Sequence, residues 1–147
     1  MTVLRVFVDT GAWFALQAVD DEHHRDAVKV LRTLVGRPDT LVTTNHVIGE
    51  TYTLLRTVRG HRSATAFLDA LQVTSRLARV FVSEEMEKRA FQLLSRYREH
   101  DFSFIDATSF AVMRAERIRH AFAFDSHFAT AGFLRIPDDL PIEQLAQ

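Results

Sequence analysis

Four acidic residues stand where solvent-facing charges are not expected. Asp9 closes the apolar run VFV and Asp125 closes AFAF, so each ends a stretch with the composition of a buried strand. Glu50 falls three residues after Val47 and four before Leu54, interrupting an apolar line of a helix. Asp106 lies four residues after Phe102 and four before Phe110, again on an apolar line. Each acid alone also fits a structural role: Asp9 and Asp125 as N-caps, Asp106 as the acid of a capping box with Ser103, Glu50 at the wet edge of its stripe. Taken together in one cleft, they would repel. Two unit charges ~5 Å apart cost about 3 kcal/mol at an effective dielectric of 20, and protonation or a divalent cation relieves that cost. The absence of cysteine removes thiol nucleophiles and Cys-bound zinc, and oxygen ligands favour Mg²⁺ or Mn²⁺. Such ions bridge phosphate oxygens and acidify a bound water, so the chemistry these acids fit is phosphodiester hydrolysis.

The elements around the acids must bring them to one place. Val3 to Val8 reads as a strand, followed by a short helix from Thr10, its cap, to Leu16. Asp21 is the expected cap of a helix over 22–35, which Gly36 and Pro38 end. A strand at 41–43 precedes a helix over 45–59, capped by Thr44 and stopped by Gly60. Ser63 caps a helix to Val73, 78–82 is a strand, and Ser83 caps the next helix, with Glu84 and Glu85 in its first turn. Ser103 opens a helix to about Ile118, Ala121 to Phe124 is a strand, and a last short strand lies near 133–136. Strands alternating with crossover helices predict an α/β fold with a central, mainly parallel sheet of four to five strands. In such sheets ligands bind beyond the carboxyl ends of the strands, the edge where Asp9 and Asp125 fall.

The 147 residues suit a single domain over 1–147, and 47% hydrophobic with 25% charged residues is the balance of a soluble globular protein. No apolar run approaches the ~20 residues that span a bilayer, and the N-terminus lacks a signal-peptide pattern; a cytoplasmic protein is expected. The formal net charge of −1 offers no bulk attraction for a polyanion, so any nucleic acid must be handled at a local site. The cations are 16 Arg and 2 Lys. Gly11 occupies the position where a haloacid-dehalogenase-like phosphatase carries its second Asp. Both lysines, Lys29 and Lys88, fall in helices rather than after a late strand as a response-regulator receiver requires.

The order Asp9, Glu50, Asp106, Asp125 resembles that of the PIN-domain ribonucleases, and the likeness runs along the whole chain. VFVDTGAWFAL is similar to the family's first motif, TTNHVIGETYTLL to the second, FSFIDATSFAVMR to the third and AFAFDSHFATAGF to the fourth. Small stand-alone members of the family are mostly VapC-like toxins of toxin–antitoxin pairs. The resemblance implies a PIN-like three-layer fold, a homodimer, Mg²⁺ or Mn²⁺, cleavage of RNA, and inhibition by a small antitoxin protein. It assigns Asp9 and Asp106 as central metal ligands, with Glu50 and Asp125 completing the catalytic set directly or through water. Thr10 and Ser126, each following a strand-end acid, match hydroxyl positions that orient ligands or bind phosphate. A non-catalytic PIN-like binding module is the alternative, and the intact set of four acids argues against it. Asp101 fits a fifth acid or a solvated loop residue. His127 reads as a solvated or helix-surface residue, the Phe-rich segments as core, and the adjacent His23 and His24 point to different helix faces and make no zinc motif. Arg5, Arg56, Arg59, Arg62 and Arg114 flank the motifs and are candidates to line an RNA groove.

Overall fold

The short β-branched and aromatic runs pair as expected, into one sheet. A computed structural model describes residues 3–145. Strands β1 (Arg5–Val8), β2 (Thr40–Thr44), β3 (Leu77–Val80), β4 (His120–Phe122) and β5 (Leu134–Ile136) form a sheet in the order β3-β2-β1-β4-β5. Every neighbouring pair is parallel, so the sheet is wholly rather than mainly parallel. Helices α1 (Thr10–Gln17) and α2 (His24–Val35) join β1 to β2, and α3 (Asn45–Val58) and α4 (His61–Val73) join β2 to β3. After β3, α5 (Glu84–Arg96) and α6 (Phe104–Ala115) carry the chain across β1 to β4; α7 (His127–Thr130) leads to β5, and α8 (Ile142–Leu145) follows. The reversal of direction after β3 sends successive right-handed crossovers to opposite faces of the sheet. It also places a topological switch point between β1 and β4, where ligands of open α/β sheets bind.

The core forms where both sheet faces are covered. Val6, Phe7 and Val8 of β1 are all buried, as is expected of a central parallel strand. Phe7, Phe110, Phe128 and Phe133 pack on one another, with Phe110 and Phe128 edge to face at 5.1 Å. Phe122 is also fully buried, so these four Phe-rich positions of the later motifs serve the core. Phe104, by contrast, is 41% exposed.

Several boundaries differ from expectation, each for a local reason. The N-cap of α1 is Asp9 rather than Thr10, and its side chain makes no capping bond. The N-cap of α2 is His23; Asp21 instead accepts a bond from the His23 N–H at 3.0 Å, closing the turn before the helix. Helix α4 starts at His61 instead of after Ser63, because Gly60, at φ 96°, reverses the chain directly after α3. Thr44, Ser83 and Ser103 cap as expected, each accepting from a backbone N–H in the first turn. Strand β4 stops at Phe122 instead of Phe124, since the Asp9 N–H takes the Phe122 carbonyl and β1 ends there. Helix α6 ends at Ala115, short of Ile118, and α7 and α8 are additional short helices.

A buried polar node, absent from the sequence reading, ties the far edge of the sheet together. Asp39 is 2% exposed; its Oδ1 accepts from the Leu4 N–H at 2.8 Å and its Oδ2 from Arg37 Nε at 2.6 Å. Arg37 also donates to the Leu145 carbonyl, and Arg76 donates to the carbonyls of Val35, Arg37 and Asp39. The start of β1, the α2–β2 turn and the final helix α8 thus share one ion pair.

Candidate active site

The carboxyl edge at the β1/β4 switch point gathers the four acids from four different elements. Asp9 follows β1, Glu50 lies on the second turn of α3, Asp106 on the first turn of α6, and Asp125 on the loop between β4 and α7. Asp9 is 6% exposed and Asp106 7%, whereas Glu50 and Asp125 are open to solvent. Burial pushes the Asp9 carboxyl from an ordinary 3.8 up to about 7; the Thr10 N–H opposes this, and the charges of Asp106, Asp125 and Glu50 add to it. The sequence-expected set is therefore electrically one cluster around Asp9. Asp9 makes no capping bond, whereas Glu50 is exposed at the edge of its helix and Asp125 Oδ1 accepts the N–H of His127, the first residue of α7, at 2.8 Å. Asp106 does complete the capping box, its Oδ2 accepting from the Ser103 N–H at 3.0 Å while its own N–H donates to Ser103 Oγ.

His127 corrects the sequence reading. Instead of facing solvent, its Nδ1 lies 2.8 Å from Asp106 Oδ2 and 3.4 Å from Asp125 Oδ1. Partial burial lowers its pKa, but the bond to Asp106 and the charges of Asp125, Asp106 and Asp101 outweigh that and hold it above the usual value. It is the hydrogen-bond partner that a buried Asp106 requires. The signal was present in its spacing: a residue two after a loop acid, with the Asp125 side chain accepting its N–H at 2.8 Å, is turned back toward that acid. Asp101 is exposed and reaches the site only through its charge on His127.

The donor set fits a divalent cation. Ligand atoms of Asp106, Asp125 and His127 lie within 4.8 Å of one another, and Asp9 is held in a place where its anion is costly without a counter-charge. Thr10 Oγ1 is buried with no hydrogen-bond partner among the described residues, an orphan that a bound water or ligand would satisfy. Ser126 is exposed beside Asp125 and makes no capping bond. The arginines are scattered. Arg5 sits at the opposite, amino end of β1, paired with Glu116; Arg59 pairs with Asp20 over the Phe14 ring. Arg114, in the last turn of α6, donates to the Ala131 carbonyl at 3.4 Å, and Arg56 and Arg62 are exposed.

A parallel sheet of this order with clustered acids at its switch point is the design of a known class, and comparison agrees: the PIN domain family model matches residues 6–134. The chain belongs to the PIN-domain family. It is 41% identical over 131 residues to the 23S rRNA-specific endonuclease VapC20 of Mycobacterium tuberculosis, covering 89% of this chain and 97% of that protein. It is 30% identical over 128 residues to a VapC ribonuclease of Archaeoglobus fulgidus, covering 86% and 80%. The crystal structure of M. tuberculosis VapC20, described as a sarcin-ricin loop cleaving toxin, superposes with a TM-score of 0.79 over 88% of this chain and 96% of that one. VapBC2 from Rickettsia felis, solved on a DNA fragment from its promoter, shares the fold at 13% identity, with a TM-score of 0.69 over 90% and 97% of the chains.

Proposed function

We propose that this protein is a Mg²⁺- or Mn²⁺-dependent endoribonuclease, the toxin of a VapC-type toxin–antitoxin pair. The observation that carries the reading is Asp9: a carboxyl whose burial, with the charges of Asp106, Asp125 and Glu50 added, makes its ionisation unfavourable until a cation arrives. Asp9 and Asp106 would hold the metal, with Glu50 and Asp125 at its solvent side. A bound divalent ion would acidify the attacking water and stabilise the departing oxygen of a phosphodiester. The chain's own residues supply the rest. Asp106 is oriented from behind by the Ser103 N–H and by His127, which leaves its Oδ1 turned to the cleft without a protein donor among the described residues. Thr10 Oγ1 and Ser126 stand beside the two loop-end acids, ready to position a water or a phosphate oxygen. The exposed Glu50 and Asp125 keep a polyanion away until metal neutralises them, which couples RNA binding to the ion.

Among the described residues, no helix is long and apolar enough to cross a membrane, and the reading places the protein in the cytoplasm as a homodimer held in check by a small antitoxin protein. Mapping of cleavage sites in total cellular RNA tests the activity. Discrete cuts that need Mg²⁺ or Mn²⁺ and vanish in EDTA are expected; undiminished cutting in EDTA would end the metal mechanism. RNA retention with no cleaved product in any divalent metal would instead favour a binding module.

His127 acts on Asp106 from the side, as outer groups act on metal ligands. His127→Ala should weaken Mn²⁺ affinity about 10- to 100-fold, measured by calorimetric titration, with the melting temperature little changed. Unaltered affinity would leave His127 only a packing role.

A further inference from the structure

Arg114 is one of three arginines that converge away from the acids. With Arg89, Gln92 and Arg96 of α5 it surrounds a pocket of ≈ 230 Å³, floored by the buried Leu93 and Ala111. Arg89, Gln92 and Arg96 recur at i, i+3 and i+7, which places them on one line of α5. Phe91, which packs on Phe104 at 6.1 Å, lies about 140–160° around the helix from Arg89 and Arg96. The pocket is therefore separate from the apolar surface at Phe91 and Phe104. No acid is among its lining residues. Arg89 has an exposed pair with Glu85 at 3.2 Å, whereas Arg96 and Arg114 form no ion pair among the described residues. Like charges gathered at one pocket are unfavourable until an anion answers them.

The pocket is fixed relative to the acids. Asp106 and Arg114 share α6 and stand eight residues apart, ~12 Å along the helix axis. Ala90, Ala107 and Ala111 pack α5 against α6 through small side chains, which holds the two arginines of α5 in place. The carbonyl that Arg114 meets belongs to Ala131, the C-cap of α7, whose first residue is the His127 that bonds Asp106. A strand held at the acids by one phosphate therefore passes within reach of these arginines with another. The planar fork of a guanidinium matches two phosphate oxygens at once, and the Gln92 amide adds a further donor. We infer that the pocket between α5 and α6 grips one backbone phosphate of the RNA, a few nucleotides from the cut, with Arg89, Arg96 and Arg114. An acidic protein segment offers the same charge, but only a strand cut at Asp106 is tied to a fixed distance along α6. Phosphate contacts set position and register without reading bases, so this site sets the direction in which the strand crosses α6. It rests on the ribonuclease reading above.

A variant with Arg89→Gln, Arg96→Gln and Arg114→Gln tests it. All three side chains are exposed, and exposed pairs such as Arg89–Glu85 contribute little, so the fold and the four acids stay in place. The substrates are short RNAs spanning a mapped cut, either unmodified or with one phosphate made a neutral methylphosphonate at successive positions away from the scissile bond. For the wild type, one such position should lower kcat/KM about tenfold. The variant should lose as much on the unmodified RNA and lose nothing further at that position. Its log kcat/KM should also fall less steeply with log salt, by about 0.7 in slope, while its Mn²⁺ affinity and melting temperature match the wild type. Equal kcat/KM and equal salt slopes for the two proteins would overturn the phosphate site, as would the same methylphosphonate penalties in both. If the wild type alone then binds polyglutamate, the pocket belongs to an acidic protein segment instead. If the wild type cuts no RNA in any divalent metal, the ribonuclease reading falls and takes this one with it; the other failures leave that reading standing.

Discussion

Asp9→Asn should abolish RNA cleavage while making the metal-free protein more stable. Loss of a central metal ligand removes more than the 10- to 100-fold typical of an outer group, so a fall on the order of 10³-fold or more in kcat is expected in single-turnover assays. The stability gain follows from linkage. The folded-state pKa of Asp9 is raised, to about 7 from 3.8, so the folded protein binds the proton more tightly than the unfolded chain. The associated stability is fully present below pH 3.8 and is lost as pH rises through about 7. In EDTA at pH 8 the ionised carboxylate costs up to about 4 kcal/mol. Asn is neutral at every pH and nearly the same shape. Melting curves in EDTA should therefore fall between pH 5 and pH 8 for the wild type and stay flatter for Asp9→Asn, with the variant melting on the order of 10 °C higher at pH 8. Mn²⁺ should raise the wild type and leave the variant nearly unmoved. Equal melting temperatures at pH 8, or full cleavage by the variant, would refute the role of Asp9.

Asp39→Ala should be the most damaging single change to the fold, on the side of the sheet away from the chemistry. Its carboxylate is wholly buried and joins Arg37 to the Leu4 N–H. Removing Asp39 takes the ion pair at Nε from a buried guanidinium and the acceptor from a backbone donor, a cost of about 3–5 kcal/mol. For a domain of this size that is a drop of roughly 6–20 °C in melting temperature. Asp39→Asn keeps an acceptor for Leu4 and should lose less. The ranking is checked by urea unfolding of the two variants. A loss under about 1 kcal/mol in Asp39→Ala would show that the node is dispensable. Neither change touches the acids, so residual folded protein should still bind Mn²⁺.

The two ends of β1 therefore carry buried acids with opposite purposes. Asp39, beside the start of the strand, has every oxygen answered by a donor of the protein and serves stability. Asp9, at the other end, makes no capping bond and is surrounded by like charge. A fold that only needed to be stable would favour the first arrangement over the second. The near-zero net charge of the chain conceals this division.

The sequence by itself determined the order of the five strands and six longer helices, the caps at Thr44, Ser83 and Ser103, and the four acids as candidates, because these depend on local periodicity and on residue type. Asp9 and Asp125 were legible as strand-end acids because a polar residue halts an apolar run abruptly, and Glu50 and Asp106 because each breaks a helical stripe. Only the tertiary structure decided which of them meet. The strand order puts β4 beside β1, and the early end of β4 at Phe122 leaves Asp125 on a loop and His127 at the start of α7, which fold back to Asp106. That contact joins residues 21 positions apart, and no local pattern encodes it. The Arg37–Asp39 pair was unread for the same reason: an acid in a polar turn looks solvated until Leu4 and the C-terminal helix close over it. Gly49 is the reverse case, since its residue type was plain in the sequence, but only the packed fold shows that no described residue comes within 4 Å of a Cβ built there.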